Sequence, residues 1–302
     1  MWFIFGIIST LAWGSADLFY KKGSDSRDSL SHLKIVVAVG FAMGIHGTVY
    51  MLVNDLTFDP FQLIWYLPVS SMYILSMTIG YVGLRYMELS IASPVQNGSG
   101  AITAILCYIF FPHQLLFVEV GGIVLVTGGI LSLAFLEKKE EDLALQKEGK
   151  ELDPKYQLSF MAIMFPILYC IIDGLGTFGD AVYLDEMKLI SENDALLAFE
   201  YTFFICGIAS LLYITVVKKQ KINIWREKDK GIAAIFETTG QFFYVFAMAQ
   251  NAIIIAPMVA SYSIVSVILS RIFLKERLNN LHYVAVAVVM TGISMLGLSE
   301  AI

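Results

Sequence analysis

Ten times along the chain the sequence runs for about twenty residues with no more than two charges, the length that crosses about 30 Å of hydrocarbon as a helix. The runs lie at roughly 2–20, 33–53, 62–84, 91–111, 115–136, 158–181, 194–217, 231–250, 253–274 and 280–298. No water-soluble fold of 302 residues can hide that much apolar sequence, and the composition agrees: 57% of the residues are hydrophobic and 15% charged, with a mean hydropathy of +0.71. The expected fold is therefore an all-α integral membrane protein, with a lipid bilayer as its surroundings.

The charges gather in short loops. Of the 20 Lys and Arg residues, all but Lys188 fall after the first, third, fifth, seventh and ninth runs, so the positive-inside rule puts those loops in the cytoplasm and both termini outside it. The net charge of -6 follows no single face, and no nucleic-acid footprint appears. Cys107, Cys170 and Cys206 lie in apolar runs without a CxxC spacing and read as small hydrophobes, with neither a disulfide nor a metal site implied. The N-terminus has no basic stretch before its apolar run and reads as a first membrane helix. No phosphate loop, HExxH or GxSxG motif occurs, so no cofactor is expected, and a membrane-embedded enzyme is the rival of another class.

The longest connection, 137–157, is highly charged and lacks apolar periodicity. It divides the chain into 1–136, a cytoplasmic linker at 137–157, and 158–302, with five runs in each half. Sliding the chain on itself by about 163 residues pairs SPVQNGSGAITAILCYIFF with APMVASYSIVSVILSRIFL: Pro94 meets Pro257, Phe110 meets Phe273, Gly129 meets Gly292 and Tyr81 meets Tyr244. QNGSG, read alone, is a turn; its counterpart VASYS is not, so the segment is expected to be helical and inside the membrane. Five spans per half make the second half inverted relative to the first, which places a binding site near the midplane between them.

Polar residues inside spans are costly and mark candidate sites. Glu237, Gln241, Tyr244 and Met248 form one face of the eighth run. Ser9, Trp13, Asp17 and Tyr20 in the first run and Tyr169, Asp173, Thr177 and Asp180 in the sixth share one spacing. Asp173 lies deep in its span among Gly174, Gly176 and Gly179; packing glue between helices is the plain alternative. Gln96 and Asn97 carry donors and acceptors beside glycines, and Tyr262 begins a hydroxyl stripe. Asp17 is balanced between an ion pair with Lys21 and a ligand role, while Asp180, Glu200 and Glu119 are expected to be solvated near span ends. His46 reads as a partnered structural histidine, with a proton relay as the alternative.

Ten spans in two halves, Pro94 and Pro257 opening the fourth and ninth spans, and LKERL (274–278) closing the ninth resemble the EamA-like branch of the drug/metabolite transporter superfamily over nearly the whole chain. Where the second half has KER the first has FPHQLL, so Glu276 carries no more than a structural role at a helix end. The resemblance implies a secondary carrier, not an enzyme, that moves a small molecule through a central cavity by alternating access. The expected lining is Trp13, Tyr81, Gln96, Asn97, Asp173, Thr177, Glu237, Gln241, Tyr244 and Tyr262. Acids outnumber bases in the spans and aromatics are many, which favours an amine or zwitterion, such as an amino acid or a choline-like compound, over a sugar or nucleoside. Glu237 and Asp173 are the candidates for proton coupling. The expected location is the cytoplasmic membrane, as a monomer or homodimer.

Overall fold

In the computed structural model, residues 1–25, 27–86, 89–111, 115–147, 159–275 and 280–299 are described, and among them every regular element is a helix. The first half contains α1 (Trp2–Gly23), α2 (Ser31–Val53), α3 (Phe61–Trp65), α4 (Leu67–Gly83), α5 (Leu89–Gln96), α6 (Ser99–Phe110) and α7 (Phe117–Lys147). The second contains α8 (Ser159–Asp180), α9 (Glu192–Leu212), α10 (Lys228–Ala260), α11 (Tyr262–Leu269) and α12 (Asn280–Ser299). Helices α8, α9 and α11 each end in a wider π turn, at Ala181–Glu186, Tyr213–Val217 and Ser270–Leu274.

A helix satisfies its own backbone polar groups, which is what an apolar run in lipid requires. Five helical stretches are long and apolar enough to cross a membrane: Trp2–Gly23, Ser31–Val53, Met164–Glu186, Glu192–Val217 and Lys228–Leu274. The last has 47 residues, about 70 Å at 1.5 Å per residue, more than twice the hydrocarbon thickness. It bends where Asn251 leaves helical geometry (φ -164°, ψ 75°). Shorter apolar helices at Leu67–Gly83, Phe117–Ser132 and Tyr283–Leu296 complete the set.

QNGSG is helical on both sides of a tight turn, a correction to the continuous helix expected. α5 stops at Gln96 and α6 starts at Ser99, with the Gly98 amide reaching back three residues to Val95 O (3.3 Å). The second half breaks 163 residues later: Ser261 donates to Met258 O (3.1 Å) and α11 begins at Tyr262. Pro94 and Pro257, which lack the N–H a helix interior needs, lie just before the two breaks.

Packing follows the same correspondence. α1 lies along α10 and α8 along α4; α2 packs on α9 and α7 on α12. Exchanging the halves maps this set of pairs onto itself. The α2–α9 contact is at backbone distance: a Cβ on Gly40 would fall 2.5 Å from Phe203 O and 2.9 Å from the Gly207 Cα, the close approach that small residues permit between membrane helices. The charged connection begins as helix, since α7 continues to Lys147 through EKKEEDLALQK, a run of strong helix formers. Its remainder, and Glu276 and Arg277 of the KER element, lie outside the described residues.

Candidate functional site

Between the halves lies a cavity of about 70 Å³, bounded by α1, α4, α5, α6, α8, α9, α10 and α11. All ten residues expected to line such a site do line it: Trp13, Tyr81, Gln96, Asn97, Asp173, Thr177, Glu237, Gln241, Tyr244 and Tyr262. Asp17, Tyr20, Tyr73, Tyr169 and Phe199 join them. Asp17, Tyr20 and Tyr169 sit on the two stripes already marked in the first and sixth runs, so extending each stripe to its full length would have found them. Tyr73 and Phe199 stand on apolar faces that carry no such signal.

Three carboxylates reach the cavity, each held by hydroxyls. Asp17 Oδ2 accepts from Ser93 Oγ (2.7 Å) on α5 and Ser266 Oγ (2.8 Å) on α11. Asp173 Oδ1 accepts from Ser76 Oγ of α4 (3.2 Å). Glu237 Oε2 accepts from Tyr20 OH (3.2 Å), and Tyr81 OH donates in turn to Tyr20 OH (3.2 Å). No Lys, Arg or His is among the lining residues described. Lys21, the sequence neighbour of Asp17, donates to Leu84 O (3.0 Å).

Aromatic rings make up much of the remaining wall. Trp13 packs against Tyr244 (centroids 4.9 Å apart) and edge-on to Tyr262 (5.9 Å). Its indole fits only because position 240 is glycine, where a Cβ would stand 2.4 Å from the Trp13 ring. A wall of carboxylates and electron-rich faces attracts cations and has little to offer an anion. Asn97 spends its amide protons on Ser93, at 2.9 Å to the carbonyl and 3.3 Å to Oγ. Gln96 Nε2 is buried without a hydrogen-bond partner among the described residues.

Two expectations of solvation fail. Asp180 is fully buried: Tyr66 OH donates to Oδ1 and Tyr73 OH to Oδ2 (2.8 Å), with Tyr244 OH 2.8 Å and Thr177 Oγ1 3.0 Å from the same Tyr73 hydroxyl. Glu200 is also fully buried and meets His46 Nδ1 at 2.7 Å, the partnered histidine the sequence suggests. In both cases the covering helix, not the distance from the span end, sets the environment. Glu119 instead accepts from the Leu116 amide (2.7 Å) before α7.

Comparison with known proteins adds family and fold. No curated protein matches the chain. A solved structure described only as a crystal structure of a protein superposes with a TM-score of 0.66 at 11% identity, over 98% of this chain and 96% of the other; at that identity the likeness shows the fold alone. Residues 160–298 match the EamA-like transporter family, whose members are membrane transporters. The chain is thus a multi-pass membrane protein whose second half matches the EamA-like transporter family, consistent with the drug/metabolite transporter superfamily.

Proposed function

We propose that the chain is a secondary transporter that carries a small amine or zwitterion across the cytoplasmic membrane by alternating access. The reading has ten spans in two inverted five-helix repeats, 1–136 and 158–302, joined by the charged connection, with both termini outside the cytoplasm. The matching helix breaks before Ser99 and Tyr262 and the self-mapping packing pairs support the repeat. The observation that carries the substrate class is the cavity wall: three carboxylates, many aromatic rings and no basic side chain among the described lining. An ammonium group entering it gains a carboxylate and a ring face, the latter contributing about 0.5–2 kcal/mol.

Uptake into proteoliposomes tests this with labelled amines, zwitterions, sugars and nucleosides. Glu237→Gln and Asp173→Asn are each expected to slow amine or zwitterion uptake at least about tenfold, one lost interaction of about 1.4 kcal/mol. Unchanged uptake in both variants, or uptake of sugars alone, removes the substrate class. Glu237 and Asp173 are also the residues proposed to bind a coupling proton; uptake indifferent to an imposed pH gradient eliminates that part.

A further inference from the structure

The geometry points to a narrower substrate: a short amine that also carries a neutral oxygen, an amino alcohol, in preference to an amino acid or a plain alkylamine. This rests on the amine-carrier reading and deepens it.

Two independent observations meet here. The first is the orphan amide. Gln96 is 5% exposed, lines the cavity, and its Nε2 has no hydrogen-bond partner among the described residues. Gly80, also in the wall, packs against the same amide and the Tyr169 ring, since a Cβ there would stand 3.1 Å from Nε2 and 2.7 Å from the ring. A buried donor left unmade is costly, and a ligand oxygen in the cavity would satisfy it.

The second observation is the sign of the wall. Asp17, Asp173 and Glu237 face the cavity and no cation does among the described lining. A carboxylate on the ligand would find only uncharged donors to receive it and three acids to repel it. A hydroxyl or ether oxygen accepts the Gln96 proton without that penalty.

The spacing sets the size. Ser93, which donates to Asp17 Oδ2 (2.7 Å), precedes Gln96 by one turn of α5, about 5 Å along the helix. The carboxylate at Asp17 and the amide of Gln96 therefore lie about one turn apart on the same wall, within reach of the two ends of a short amine.

The test is calorimetric titration of the purified full chain in detergent with propanolamine, propylamine and β-alanine, which share a carbon skeleton. Propanolamine is expected to bind about tenfold tighter than propylamine, one hydrogen bond in affinity, and at least as far ahead of β-alanine. Gln96→Met, close in size and without the donor, should erase the advantage over propylamine, with an unchanged helical circular-dichroism spectrum and unfolding midpoint reporting an intact fold. β-Alanine binding tightest, or an advantage that survives Gln96→Met, overturns the inference and leaves the amine carrier standing. Binding of sugars or nucleosides with none of the three amines overturns both.

Discussion

At each end of the cavity a carboxylate meets tyrosine hydroxyls, yet the two ends are bonded differently. At the end beside the basic loops, Tyr20 donates to Glu237 and Tyr81 to Tyr20, all at 3.2 Å. Beyond them lies a layer of ion pairs that ties the first loop and α2 to the start of α10: Lys34 with Asp28 (2.6 Å) and Glu227 (3.3 Å), and Lys230 with Glu227. At the opposite end Asp180 receives two tyrosines, Tyr66 and Tyr73, and Tyr244 joins them at 2.8 Å. There the outer contact joins a carboxylate to backbone: the π turn after α8 brings Asp185 Oδ2 within 2.8 Å of the Ala252 amide at the bend of α10. Tyr20 and Asp180, and Tyr81 and Tyr244, align between the two halves and take part at opposite ends. What differs is where the strength lies: one end depends on charges screened by water and salt, the other on bonds buried in the protein.

That difference makes its largest forecast at Asp180. Asp180→Ala strands the Tyr66 hydroxyl, removes the carboxylate from the buried Tyr73–Thr177–Tyr244 cluster and is expected to lower the unfolding free energy by about 2–4 kcal/mol, whereas Glu237→Ala, which strands one donor, should cost about 1–2 kcal/mol. Denaturant unfolding in detergent measures both. Equal losses would mean that the two ends are equivalent and that the contrast drawn here has no energetic content.

The ion-pair layer gives the next effect. Glu227 bridges two lysines, and its own side chain is 19% exposed while those of Lys34 and Lys230 are 11% and 4% exposed. Glu227→Gln leaves Lys34 its Asp28 partner but deprives Lys230, and is expected to cost about 1–2 kcal/mol, less than a deeply buried pair because water reaches the site. The loss should shrink as salt rises from low to about 1 M, where screening acts within about 3 Å. Asp180→Ala should show no such dependence. A salt-independent Glu227→Gln would place the charge layer in a dry interior and erase the distinction between the ends.

Much of this was legible in the sequence because membrane helices write their environment plainly. An apolar run of twenty residues has few other fates, and a carboxylate within it needs partners, so Glu237 and Asp173 mark the cavity without any fold. The likeness of the two halves was legible as an alignment, but the breaks at Gly98 and Ser261 were not, because QNGSG read against its counterpart as continuous helix. Depth along a helix was readable; facing was not. Asp180 and Glu200 lie near span ends, where solvation is the reasonable expectation, and both are covered by side chains of other helices that one-dimensional spacing cannot place. Tyr73 and Phe199 were invisible for the converse reason, since nothing on α4 or α9 distinguishes an aromatic that faces a cavity from one that faces lipid.

The smallest forecast separates the tyrosines that are paired by the repeat. Tyr244 and Tyr81 occupy equivalent positions, but the first stands 2.8 Å from its neighbouring hydroxyl and the second 3.2 Å. Hydrogen bonds between membrane helices average about 0.6 kcal/mol and reach about 1.7 at most. Tyr244→Phe, which removes a short bond from a cluster centred on a carboxylate, is expected near about 1 kcal/mol, and Tyr81→Phe near or below about 0.5 kcal/mol. Both rings remain, so packing against Trp13 and Tyr20 is kept and the difference reports the hydroxyls alone. A double change Tyr20→Phe with Tyr81→Phe should cost less than the sum of the single changes, because Tyr81 acts on Glu237 only through Tyr20. Strict additivity would show that Tyr81 has a partner other than Tyr20, and the bonding at the basic end would then have to be redrawn around it.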